Sequence, residues 1–143
     1  MNTIHASAVL IGPKALLIRG PSGAGKSRLA WTLLQSTLPF TRLVGDDRMH
    51  AQALAGRLLA RPDAALAGLI EIRGLGIRRL VHESLAVVGL VVDLAAADAE
   101  RMPPEGAARA EIEGVTLPRL AIATGGDALQ MVLAFLGTNS SGN

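Results

Sequence analysis

The sequence predicts an α/β fold in which a mixed, strand-rich sheet surrounds a phosphate-binding loop (P-loop, Walker A). Three observations predict it. Gly20-Pro21-Ser22-Gly23-Ala24-Gly25-Lys26-Ser27 fits the pattern G-x-x-x-x-G-K-[ST] at every fixed position. The loop follows the apolar run Ala15-Leu16-Leu17-Ile18 and precedes Leu29, Ala30, Leu33 and Leu34 at helical spacing, the strand–loop–helix setting the motif needs. The apolar content is mostly Ala, Leu, Val and Ile, with one Trp, two Phe and no Tyr, a composition that suits a largely buried sheet.

The loop's chemistry follows from its residue types. Glycines let consecutive backbone N–H groups point inward, and the following helix adds its positive N-terminal end. Lys26 is placed to reach the β- and γ-phosphates of a nucleotide, and the Ser27 hydroxyl to ligate Mg²⁺. From this chain's own Gly, Lys and Ser/Thr frequencies, a chance match anywhere in it arises roughly 2 times in 1,000.

At 143 residues the chain is most simply one domain, and its hydrophobic half is enough for a real core. With no cysteine, disulfides, thiolate zinc sites and cysteine nucleophiles are excluded. The longest apolar run, Leu85 to Ala97, contains Asp93 and is too short to span a membrane. The N-terminus lacks the basic and apolar pattern of a secretory signal, so a cytoplasmic location is expected. Net charge is only +2, and the arginines are scattered without stacking aromatics, so a nucleic-acid surface is not expected.

In chain order, residues 3–11 read as a strand that turns at Gly12-Pro13-Lys14 into a second strand, 15–19, forming a hairpin with His5 at its outer end. The helix after the loop is expected from Lys26 to Ser36, with Pro39 enforcing a break. Arg42-Leu43-Val44-Gly45 reads as a buried strand ending in Asp46-Asp47. Phosphate-loop enzymes place acids at such strand ends beside Mg²⁺ and the γ-phosphate, although adjacent aspartates also make solvated turns. Residues 49–60 suggest a further hairpin around Gly56, with Pro62 to Gly68 a connection.

Leu69 to Ile77 reads as a short apolar strand carrying Glu71 and Arg73 on one face, either a structural ion pair or a site. Gly74 and Gly76 argue for close backbone approach. Residues 86–94 form the most apolar strand, and 96–108 an exposed connection. Residues 109–115 and 117–123 read as two more strands, and Asp127 caps a helix over 128–136. Residues 138–143 are expected to be a disordered tail after a single domain, 1–137.

Four of these features in order resemble the catalytic domain of HPr kinase/phosphorylase. They are Ile4-His5, the loop 20–27, Leu43-Val44-Gly45-Asp46-Asp47, and Ile70-Glu71-Ile72-Arg73-Gly74-Leu75-Gly76-Ile77. The last is similar to the family's signature segment and is more specific than the loop. The resemblance covers about residues 4 to 136 and implies an HPr kinase/PEP carboxykinase-like fold. It implies ATP-dependent phosphorylation of a regulatory serine on the phosphocarrier HPr or a related carrier, with reverse phosphorolysis as a second activity, in regulation of carbon metabolism. The implied cofactors are ATP and Mg²⁺, and the implied assembly is a homo-oligomer, a hexamer in the family. By the same resemblance Lys26 binds phosphate, Ser27 and Glu71 ligate Mg²⁺, and Asp47 is the acid–base residue; on its chemistry alone, Asp46 is placed to help hold the metal's water shell. His5 and Arg101 match the remaining catalytic positions.

The chain departs from the family in three places. The family commonly carries a separate N-terminal domain, whereas this sequence starts directly at the catalytic one, and the segment after Gly137 is short. The family's basic C-terminal loop corresponds to Ala123-Thr124-Gly125-Gly126-Asp127, which has no cation; this favours the kinase direction over phosphorolysis. Two other readings fit the loop alone: a small-molecule kinase and a non-enzymatic ATP sensor.

Overall fold

The structure, a computed structural model, describes residues 2–139. In chain order the elements are β1 (Asn2–Ile4), β2 (Ala6–Ile11), β3 (Lys14–Arg19), α1 (Lys26–Leu34), β4 (Thr41–Gly45), β5 (Met49–Leu54) and β6 (Arg57–Pro62). Then come β7 (Leu69–Ile72), β8 (Gly76–Arg79), β9 (Ala86–Asp93), β10 (Arg109–Ile112), β11 (Val115–Ala121) and α2 (Ala128–Gly137). Short 3₁₀ turns at Ala64–Leu66 and Glu105–Ala108 complete the connections.

Among the described residues, nine strands form one mixed sheet and β7–β8 form a separate ribbon. The apolar strand β9 is its centre. One edge of β9 pairs in parallel with β3, while the other pairs antiparallel with β6 through Val87 and Ala86 and parallel with β11 through Val91 to Asp93. Leu16, Ile18, Leu90 and Val92 face α1, α2 and Ile70; Ala15, Leu17, Val88 and Ala86 face the second buried cluster around Met49, Leu58 and Leu117. The faces alternate residue by residue along β3, while β9 changes face at the register shift between its Val88 and Leu90 pairings; both faces of the central strands are covered, which explains the aliphatic composition.

The β2–β3 and β5–β6 hairpins, the β10–β11 hairpin and the helix capped by Asp127 form where expected, with the Asp127 carboxylate accepting from the Gln130 amide at 3.1 Å. Several boundaries differ. The first strand breaks at His5, and its outer piece β1 leaves β3 to pair with β5, Thr3 opposite His50. Helix α1 ends at Leu34 rather than Ser36; the Ser36 hydroxyl and amide both turn back onto the Leu33 carbonyl, an alternative to helical pairing that serine offers. Strand β11 starts at Val115, two residues early.

The segment 69–77 needs the larger correction. Strand β7 stops at Ile72, and Arg73-Gly74-Leu75 is the turn into β8, so Glu71 and Arg73 do not share a strand face, and no ion pair joins them. Gly74 and Gly76 have φ of +86° and +102°, and a Cβ on either would meet nothing within 4 Å. They supply left-handed turn geometry, not close approach. The expected tail begins as coil at Thr138 and Asn139, and residues 140–143 lie outside the described residues.

Candidate active site

Strand direction brings the predicted residues to one end of the sheet. β3, β9 and β11 run parallel and finish level, with Arg19 beside Asp93 and Ala121 beside Asp93. The glycine-rich loop leaves β3, the connection carrying Arg101 leaves β9, and residues 122–127 leave β11, all at this end. β4 is antiparallel to β2, which is antiparallel to β3, so Asp46-Asp47 emerge here too. His5 joins them because Ala6, its neighbour, pairs with Arg19. Ligands of open α/β sheets bind at such carboxyl ends.

At the end of the loop, Gly25 stands in the cap position before α1, with no side chain capping the first amides and no acid in the first turn. Those N–H donors are left for an anion. Lys26 is only 7% exposed, and its ammonium donates to the carbonyls of Gly20 at 2.8 Å and Pro21 at 3.2 Å. The cation is thus satisfied by neutral acceptors and has no carboxylate to give up when phosphate arrives.

Asp46 is buried and collects donors from three elements. The Ser27 hydroxyl lies 2.8 Å from both its oxygens, the Ser7 hydroxyl donates to Oδ1 at 2.5 Å, and the Glu71 amide donates to Oδ2 at 3.2 Å. Asp47 is the opposite case. It is exposed, has φ of +71°, and is the centre of a turn closed by the Arg48 amide donating to the Asp46 carbonyl at 2.8 Å. That is the pattern of the rare positive-φ γ-turn, a strained geometry of the kind that clusters at functional sites. The turn aims the Asp47 carboxylate outward, where Oδ1 meets His5 Nε2 at 3.0 Å.

The structure therefore joins Ser27 to Asp46 and His5 to Asp47. Glu71 reaches the cluster through its backbone, with an exposed side chain. Arg101 sits in an exposed loop and makes no hydrogen bond or ion pair among the described residues. The loop 123–127 is exposed and lacks a cation. Beneath the site lies a network absent from the sequence-based expectations. Arg19 and Arg119 both grip Asp93, at 2.7 and 2.6 Å, and Arg119 also binds Asp98 at 2.9 Å. Burial pushes the Asp93 carboxyl up, but the two guanidiniums outweigh it and hold it below the usual range. The signal was present in the sequence as opposite charges, Arg19 and Asp93 closing two apolar strands and Arg119 near the end of a third, but only the parallel register makes them neighbours.

Among the described residues no group of three or more His, Asp or Glu side chains converges as a self-sufficient metal site. A hydroxyl and a carboxylate side by side, Ser27 with Asp46, are hard oxygen donors of the kind Mg²⁺ uses when phosphates and water complete its shell. The residues present fit that ion.

Residues 1–124 match the family model described as the HPr Serine kinase C-terminal domain. The chain belongs to the HPr serine kinase C-terminal domain family. Among curated proteins it is similar to the HPr kinase/phosphorylase of Mycoplasma mycoides, 38% identical over 80 residues, which is 56% of this chain and 25% of the relative. The HPr kinase/phosphorylase of Clostridium beijerinckii is 36% identical over 74 residues, 52% of this chain and 24% of that protein. The matched stretch thus spans about a quarter of these relatives. Among solved structures, the HPr(Ser) kinase/phosphatase from Coxiella burnetii superposes with a TM-score of 0.75 at 22% identity, covering 96% of this chain and 95% of that one. That likeness establishes the HPr kinase fold: an α/β domain with a strand-rich mixed sheet. No helix among the described residues is long and apolar enough to cross a membrane.

Proposed function

We propose that this domain transfers the γ-phosphoryl group of ATP to a serine of an HPr-like phosphocarrier protein. The observation that carries the reading is the meeting of a phosphate loop, Gly20 to Ser27, with an exposed carboxylate held by His5 at the same sheet end. Phosphoryl transfer asks for positioning and charge neutralisation more than covalent chemistry. In this reading the loop amides and Lys26 hold the β- and γ-phosphates, and Asp47 accepts the proton of the carrier serine. The serine oxygen forms the new bond to phosphorus as the bond to the ADP oxygen breaks. Bound Mg²⁺ would supply neutralisation of the phosphate charge, held by Ser27 and Asp46 with Glu71 nearby. His5 orients Asp47, and Arg101 supplies positive charge from the neighbouring loop.

Because 123–127 carries no cation, the forward direction is favoured over phosphorolysis. The reading also places the protein in the cytoplasm, as a homo-oligomer. The test is incubation with ATP, Mg²⁺ and candidate carriers, followed by mass spectrometry. A phosphoserine on the carrier is expected. Phosphorylation of a metabolite without any carrier, or ATP-dependent carrier binding with no phosphoserine, would overturn the proposal.

A further inference from the structure

We infer that Ser7 is a positioning residue for this reaction: its single hydroxyl fixes the buried acid and the exposed acid relative to each other. Ser7 is fully buried in β2 between Ala6, Ala8 and Val9, where the pattern otherwise demands an apolar side chain. A hydroxyl in such a place persists only with partners. Its oxygen donates to Asp46 Oδ1 at 2.5 Å and accepts from the Asp47 amide at 3.3 Å. One group is thus donor to one aspartate and acceptor from the next, which a hydroxyl can do and a methyl cannot.

The register explains how it gets there. β2 and β4 slip between Ala8 and Val9, so the last pair is Ala8 with Gly45, and Ser7 lies one step beyond it, level with the turn. His5, two residues earlier on the same chain, takes the Asp47 carboxylate. One strand end therefore holds the Asp46 carboxylate, the Asp47 amide and the Asp47 carboxylate. Without the hydroxyl, Asp46 retains Ser27 and the Glu71 amide but is free to turn, and the γ-turn at Asp47 loses the acceptor that pins it.

This role rests on the kinase reading above, so the experiment separates the two. Ser7→Ala, Ser7→Thr and Ser7→Val are compared, Thr and Val having nearly the same shape with and without the hydroxyl. ATP binding is measured by calorimetry with Mg²⁺ and with EDTA, and carrier phosphorylation is followed in parallel. Ser7→Ala and Ser7→Val are expected to lose about tenfold in kcat and a similar factor in the Mg²⁺-dependent gain in ATP affinity, the scale of one hydrogen bond to a charged group. Affinity in EDTA stays unchanged, and Ser7→Thr retains most of both. Wild-type behaviour of Ser7→Ala, or equal losses in Ser7→Thr and Ser7→Val, would overturn the inference. A wild-type protein that phosphorylates no carrier defeats the kinase reading, and the binding arm still decides Ser7.

Discussion

Asp47 Oδ1 and His5 Nε2 stand 3.0 Å apart with both side chains more than half exposed. Exposed pairs contribute only about 0–1 kcal/mol to stability, so this contact is weak as a fold-holding device. If Asp47 is the base, Asp47→Asn should reduce carrier phosphorylation by at least ~100-fold, the usual scale for general-base catalysis. ATP affinity and thermal stability should stay at wild-type values. His5→Ala should cost less, because in the proposed mechanism the histidine only orients the carboxylate. Full activity of Asp47→Asn in a labelled-phosphate assay would remove Asp47 from the mechanism.

Lys26 gives the complementary test on the donor side. Its ammonium is held by two carbonyls of its own loop, so Lys26→Met breaks no ion pair and should leave the fold intact. The loss should fall on phosphate binding and turnover: a drop of about 10²–10³ in kcat/KM, as for other charge-stabilising groups. Equilibrium ATP binding and steady-state kinetics on the same preparation measure both.

How the site assembles was legible in part from the sequence. The loop 20–27, the buried strand before Asp46-Asp47 and the helix cap at Asp127 could be read because each depends on neighbours in sequence. The pairing of β1 with β5 could not, because Thr3 and His50 meet only through tertiary contact. Glu71 and Arg73 were misplaced for a local reason: the turn is made by positive φ at Gly74 and Gly76, and the apolar Ile72, Leu75 and Ile77 around them read as one continuing strand. Ser7 was invisible. A serine in a continuous apolar run carries no mark of the two aspartates it holds, and the bulge that brings them level leaves no pattern. Arg19, Asp93 and Arg119 were visible only as charges at or near strand ends until the parallel register set them side by side.

Gly45, the residue before the two acids, should not tolerate a side chain. A Cβ there would lie 2.3 Å from Met49 Sδ and 3.2 Å from Pro62 Cα, and both neighbours belong to the buried β5–β6 side of the sheet. Overpacking of this kind costs about 2 kcal/mol. Gly45→Ala should therefore lower Tm by about 6 °C in a chain of this size. It should also depress phosphorylation at temperatures where the protein remains folded, since the displaced backbone leads directly into Asp46. Urea denaturation and activity at low temperature separate the two effects; unchanged stability would show that Met49 simply moves aside.

Asp93 predicts how stability depends on pH. Burial alone would raise its carboxyl, but Arg19 and Arg119 bind both oxygens and the net effect is a lowered pKa in the folded state. A group depressed on folding contributes stability that is complete above its unfolded value, near ~4, and is lost as pH falls through the folded value. The wild-type melting temperature should therefore hold steady from neutral pH down to about 5 and fall steeply below about 4. Asp63 and Asp98 are also lowered, the first by the Ala65 amide and His50, the second by Arg119, and add to the same limb. Asp93→Asn leaves two guanidiniums facing a neutral amide, although Arg119 keeps Asp98. Breaking the partly buried cluster should cost about 3 kcal/mol at neutral pH and shrink the acid-dependent drop. Because Arg19, which pairs with Asp93, immediately precedes Gly20, the same variant should weaken ATP binding at neutral pH. Melting curves from pH 3 to 8 for both proteins check the prediction, and an acid limb of equal depth in Asp93→Asn would assign the effect to other carboxylates.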